Sequence, residues 1–273
     1  MNKFATFVNG SNLFGSFKYL DVYVNDYETL YRYVYDQTVA RWHETFFLHG
    51  AEPLTQLLRV YWYVVDSMDE WDLANPRTRQ YLFERFQDDR DVKTRWMAEA
   101  ARLQTGDAAK IEQAAFTMCV NDLTHWYEKR QSILSGMNRF YHAVESASDF
   151  IEIRRCGRWK VDILHKTVTE RGLDVQLAVD MLSFSPNYDV ASIVAGDADG
   201  IPSVEYIKAL GKQVATIEML RGGHPDGKPK VFASRLKTSS DFTVPVYEQD
   251  LLRLSIATRG SGSEQFPLRD SEV

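Results

Sequence analysis

Cysteine is scarce. The 273-residue chain has two, Cys119 and Cys156, in unrelated contexts and without C-x-x-C spacing, so neither a zinc site nor a disulfide framework is expected. A reducing, cytoplasmic setting fits that usage. No run of about twenty apolar residues is present, so no helical membrane span is expected. Met1-Asn2-Lys3-Phe4 leads directly into a short apolar strand, so no secretory leader is expected either. Positive charge is not in excess: 32 lysines and arginines face 38 aspartates and glutamates, a formal charge of −6. A global basic field that would advertise nucleic-acid binding is therefore missing. A site that holds a divalent cation through carboxylates is itself acidic, so the balance does not argue against one. What the chain does have is apolar material, 44% hydrophobic residues and 13% aromatics, enough for an ordinary core.

Phe4 to Val8 is a short apolar run, and Asn9-Gly10-Ser11-Asn12 follows it, a strand, turn and helix start. Asp26 to about Phe47 has helical spacing, and Leu57 to Val65, with Tyr61-Trp62-Tyr63 at its centre, reads as a buried core strand. From Asp69 to about Ser148 charged helical patterns replace strand signals. Asn75-Pro76 and Gln104-Thr105-Gly106-Asp107 mark turns there, and a long helix is expected from Ala108 towards Glu145. Strand-like sequence returns at Phe150 to Arg154 and near Trp159 to Leu164, and Cys156-Gly157-Arg158 between them predicts a β-ribbon or an irregular strand. Gly172 to about Phe184 predicts a helix, Val190 to Val194 a buried strand, Pro202 to Leu210 a helix and Val214 to Ile217 a strand. That alternation implies α/β architecture with a parallel sheet. Arg221 to Lys230 reads as loop, and Tyr247 to Ile256 as a last helix. The expected domains are a discontinuous α/β domain over 1–66 and 149–258, a helical insertion over 67–148, and a flexible tail over 259–273.

In an open parallel sheet the ligand site lies at the carboxyl ends of the strands. Asn9 and Asn12 follow the first strand. Gly196-Asp197-Ala198-Asp199-Gly200 follows Val190 to Val194, and Asp174 opens the helix before it. Two aspartates two apart, between glycines that let the backbone turn sharply, suit a hard divalent cation. The competing explanation is helix capping, for which aspartate is a preferred residue. Asp180, about two turns along its helix, faces either the pocket or solvent.

Phe7-Val8-Asn9-Gly10-Ser11-Asn12-Leu13, Gly172-Leu173-Asp174-Val175-Gln176-Leu177-Ala178-Val179-Asp180-Met181 and Val194-Ala195-Gly196-Asp197-Ala198-Asp199 resemble, in the same order, the three signature blocks of NYN-domain (PIN-like) ribonucleases. With Tyr188-Asp189 and Val204 to Lys212, the likeness is nearly continuous from Gly172 to Lys212. The resemblance implies a PIN-like, Rossmannoid parallel sheet with flanking helices, here with a large helical insertion. It implies cleavage of RNA phosphodiesters with Mg2+ or Mn2+ held by Asp174, Asp197 and Asp199, with Asn12 organising the first loop. Asn9 stands where the family has aspartate, and Gly200 where an aromatic residue is common. Asparagine keeps the size and one acceptor oxygen but removes a full negative charge, which weakens cation binding.

Arg154-Arg155-Cys156-Gly157-Arg158-Trp159-Lys160 and Lys166 make a candidate phosphate clamp. Arg154, Arg155, Arg158 and Lys166 would grip phosphate and Trp159 would stack on a base, against the alternative of a solvated charged face. His165 is left out of catalysis, because a metal-activated water needs no histidine base. The insertion is expected to supply either a contact surface for structured RNA, such as a transfer RNA, or a homo-oligomer interface. Two further readings stand beside the ribonuclease. One is a non-cleaving NYN-fold regulator that binds RNA or protein, favoured by Asn9. The other is a haloacid-dehalogenase-like phosphatase, suggested by Asp197-Ala198-Asp199-Gly200 but disfavoured because that family's loop lies near the amino terminus.

Overall fold

Phe4 to Asn9 are all buried, and burial on both faces is what a central parallel strand requires. A computed structural model describes residues 1–47, 53–103, 107–195, 198–229 and 234–260. The elements are β1 (Asn2–Asn9), α1 (Gly10–Leu20), β2 (Val22–Val24), α2 (Tyr27–Phe46), β3 (Thr55–Met68), α3 (Pro76–Asp88), α4 (Arg90–Leu103) and α5 (Ala108–Ala147). There follow β4 (Ile151–Asp162), β5 (Thr167–Arg171), α6 (Leu173–Ser183), β6 (Val190–Val194), α7 (Ile201–Ala209), β7 (Gln213–Arg221) and β8 (Lys228–Pro229). The last are α8 (Ser234–Ser239), β9 (Phe242–Tyr247), α9 (Glu248–Arg253) and β10 (Ala257–Arg259).

The main sheet runs β5-β4-β3-β1-β6-β7-β8, with β9 also on β7. β1 is parallel to both β3 and β6, and β7 is parallel to β6 and β9. This is the mostly parallel, helix-flanked sheet expected of a PIN-like fold. Local chemistry sets the helix starts. Asp26 caps α2 by accepting from the amides of Glu28 and Thr29, and Asn75 caps α3 with Pro76 just inside it.

The chain forms two compact units. The first comprises Met1–Val65, Asn138–Gly157 and Gly172–Val273, the second Asp66–Met137 and Arg158–Arg171. In the first, Trp62 is fully buried and its ring lies 5.0 Å from that of Tyr27, 5.7 Å from Phe14 and 6.0 Å from Tyr141. Aromatic pairs at these separations add to the stabilisation from burial alone. In the second, Leu82, Phe86, Phe116, Leu123 and Tyr127 form an apolar core with Val161 and Ile163. The tail expected over 259–273 begins with Arg259, which pairs with Val22 in the β10–β2 ribbon; residues 261–273 lie outside the described residues, as do 104–106 of the turn expected before α5.

Two sequence expectations need correction. Of the β-ribbon and the irregular strand expected around Cys156-Gly157-Arg158, the ribbon is overturned, because β4 runs unbroken through it as one strand. Gly157 is there for close packing: a Cβ on it would lie 2.5 Å from Leu173 Cδ2 and 2.9 Å from Val65 Cγ2. The chain reverses later, at 163–166, where Lys166 takes a left-handed φ of 55° before β5 pairs back on β4. The second correction is β9, which the sequence reading passed over. Phe242, Val244 and Val246 alternate on the buried face, but Pro245 between them speaks against a strand, and it is tolerated because the strand lies at the sheet's edge.

Candidate functional site

The site is built where β1 ends. Val8 pairs with Val194 in parallel register, so the carboxyl ends of β1 and β6 lie side by side. Asn9 is the last residue of β1 and the N-cap of α1, and only 4% of it is exposed. Its Oδ1 accepts from the amide of Asn12 at 3.1 Å. Its Nδ2 donates to Asp174 Oδ1 at 2.8 Å. The orientation follows from chemistry, since a backbone N–H can only donate, so the side-chain atom that meets it must be the oxygen. Asn9, Asn12 and Asp174 are therefore brought together.

Asp174 lies in the first turn of α6, whose N-cap is Gly172. Gly172 has a φ of 94°, and a Cβ there would meet the Cys156 carbonyl oxygen at 2.9 Å, so both its conformation and its surroundings call for glycine. The glycine thus sets where Asp174 enters the site. The N-cap positions of α6 and α7 are glycines, Gly172 and Gly200, so neither Asp174 nor Asp199 stands at the N-cap of its helix. Asp199 is exposed, in the turn Ala198–Gly200 that lies against α6. Gly200, expected to allow a sharp turn, has ordinary helical backbone at φ −76°. Asp197 and Gly196 lie outside the described residues.

Asp180 faces neither solvent nor an open pocket. It is 4% exposed and accepts from Arg154 Nε at 3.0 Å, Tyr63 Oη at 3.1 Å and Gln176 Nε2 at 2.8 Å. Burial, and then the neighbouring Asp180 charge, pushes the Tyr63 phenol far above its ordinary range. Asp180 is thus a positioning carboxylate that ties α6 to β3 and β4.

The four cations of the expected clamp all have carboxylate partners. Arg154 pairs with Asp180 and with Glu152 at 2.9 Å, and Arg155 with Glu145 at 2.8 Å. In the second unit Arg158 meets Asp69 at 2.6 Å and Lys166 meets Asp122. Trp159 is 1% exposed, so the expected base-stacking role is corrected: on alternating β4 its ring takes the buried face while Arg158 and Lys160 take the exposed one.

The sequence reading also missed a polar pair. Glu218 on β7 and Lys237 on α8 form an ion pair and, with Asn12, Ala195 and Thr216, line a cavity of about 30 Å³, room for a water-sized guest. Ending β7 at Ile217 made Glu218 the first polar residue after that strand, the position inspected after β1 and β6.

The donor set decides how a divalent cation would fit. Asp174 and Asp199 are carboxylates of the right chemistry. Asn9 is a weaker ligand than aspartate, because it is neutral, one lone pair of its oxygen is taken by the Asn12 amide, and its other end turns an N–H, not a lone pair, toward Asp174. Among the described residues no three carboxylate, imidazole or thiol groups gather within reach of one metal ion.

A mostly parallel α/β sheet with polar and acidic residues at the carboxyl ends of adjacent strands defines a Rossmannoid α/β domain. Residues 137–233 match the NYN domain family. A solved structure of a protein of unknown function from Vibrio parahaemolyticus is similar at 13% identity, covering 90% of this chain and 93% of its own, with a TM-score of 0.38. No curated protein matches the sequence. Among the described residues no helix is long and apolar enough to cross a membrane.

Proposed function

We propose that the chain is a ribonuclease of the NYN type in which Asn9 holds metal-dependent RNA cleavage low, so that RNA binding outlasts cutting. The observation that carries this reading is the Asn9 amide, which donates to Asp174 at 2.8 Å where two carboxylates would need a cation between them. In this reading Asp174, Asp197 and Asp199 are the residues for Mg2+ or Mn2+, which when bound would polarise the phosphoryl group and activate water. Asn9 and Asn12 shape the loop after β1. Arg154 orders α6 through Asp180 rather than gripping phosphate.

The test is Asn9→Asp. Cleavage of single-stranded RNA in Mg2+ or Mn2+ is expected to rise by about two orders of magnitude, roughly 2.7 kcal/mol of barrier, and to vanish with a chelator. Equal cleavage by the two proteins would refute the role given to Asn9. A second reading, a non-cleaving regulator that binds RNA or protein, is favoured by the same amide contact; it predicts that Asn9→Asp stays inactive with RNA affinity intact.

A further inference from the structure

Unit two holds a cleft that the NYN site does not use. Its volume is about 570 Å³, and all its lining residues belong to that unit. One wall is the exposed face of the β4–β5 ribbon, carrying Lys160 and Arg171; the other is α3 with Arg85 and Tyr81, and Trp71 before it. Two carboxylates also line it, and both are already engaged. Asp69 holds Arg158 and accepts from the amide of Val161, and Asp162 accepts from His165. Among the described residues Lys160 and Arg171 enter no ion pair, and Arg85 has no carboxylate within 4 Å but feels the charge of Asp162 across the cleft. Arg158 and Arg171 stand directly opposite each other across the ribbon. Like charges in that register destabilise a strand pair, and Asp69 relieves Arg158 alone. The surplus positive charge sits on a chain whose net charge is −6, so the cleft is a local departure that favours an anion. Beside it are two rings whose centroids are 6.2 Å apart, tilted by 32°, and Tyr81 is 48% exposed.

Cations that track phosphates beside exposed aromatics on which bases stack are the physical requirements for single-stranded nucleic acid. We propose that this cleft binds a single-stranded segment of RNA, with Arg85, Lys160 and Arg171 on phosphates and Tyr81 against an unstacked base. The choice of RNA over DNA rests on the function proposed above; the cleft chemistry itself concerns backbone phosphate and a base.

The full chain is titrated into a labelled uridine-rich RNA over a range of salt, without metal. In Arg85→Gln/Lys160→Gln/Arg171→Gln the slope of log affinity against log salt is expected to fall by about 2, from roughly 0.7 per phosphate on a single strand. Tyr81→Ala is expected to weaken binding about five- to hundredfold at unchanged slope. Arg77→Gln/Lys110→Gln, exposed cations of the same unit outside the cleft, should bind as the parent does. Unchanged binding in the triple variant and in Tyr81→Ala overturns the proposal, as does an equal loss in the control. Parent protein that ignores RNA but binds poly-glutamate overturns it in favour of an acidic protein partner. The two readings fail separately: cleft variants that keep full affinity while Asn9→Asp cleaves would sink the cleft alone, and lost affinity with no cleavage by Asn9→Asp would sink the nuclease alone.

Discussion

Replacing Asp180 with alanine tests whether the buried carboxylate orders the segment that carries Asp174. The change removes the acceptor for Arg154 Nε, Tyr63 Oη and Gln176 Nε2 at once. Breaking a buried ion pair by deleting one partner costs about 3–5 kcal/mol. Arg154 is about one-third exposed and keeps Glu152 at 2.9 Å, so its stranded charge is partly met. Tyr63 is fully buried, and an unsatisfied buried hydroxyl costs about 1–3 kcal/mol. The expected loss is therefore about 2–4 kcal/mol, and Asp180→Asn, which keeps one acceptor, should lose about half. Urea unfolding followed by circular dichroism measures both. A cycle with Arg154→Met should show coupling of about 1–3 kcal/mol. Asp180→Ala within about 0.5 kcal/mol of the parent would refute the structural role and return Asp180 to the candidate site.

Gly172→Ala forces a Cβ into left-handed backbone against the Cys156 carbonyl; a stability loss of about 1–2 kcal/mol, read as a lower Tm, is expected, and an unchanged Tm would contradict it. His165 bridges Asp162 at 3.0 Å and Asp89 at 2.9 Å, and the hydrogen bond to Asp162, then the nearby carboxylate charges, holds its pKa above the ordinary 6.5. A raised folded-state pKa stabilises fully below 6.5 and loses that stabilisation as pH rises through the raised value. Thermal melts should therefore fall over that window in the parent and less so in His165→Gln; parallel pH profiles would exclude the bridge.

Much of the first unit was legible because its elements have clear periods. Val190 to Val194 is a strand at its expected bounds, and α6 and α7 lie within about a residue of theirs. Tyr61-Trp62-Tyr63 is core, as its apolar aromatic run implies. Gly157 misled because a glycine between charged residues signals a turn as readily as close packing, and only the position of Leu173 separates the two. The cations misled for a related reason: a sequence shows a charge but not its partner. Asp180 is 26 residues from Arg154, and Asp69 and Asp122 are more distant still from Arg158 and Lys166. Trp159 was decidable, since alternation along β4 puts it opposite Arg158 and Lys160. The Asn9–Asp174 bond joins residues 165 apart, so the sequence could mark Asn9 as an uncharged residue but not as a donor turned on Asp174.

Mn2+ binding to the parent and to Asn9→Asp, followed by calorimetry without RNA, tests the role of Asn9 most directly. A unit charge about 4 Å from a divalent cation is worth about 8 kcal/mol at an effective dielectric near 20. Asp174 is exposed, so screening reduces that to about 2 kcal/mol, roughly a thirtyfold gain in affinity. The account predicts that gain in Asn9→Asp and its loss when Asp174→Asn is added. Parent protein that binds Mn2+ as tightly as Asn9→Asp would contradict it.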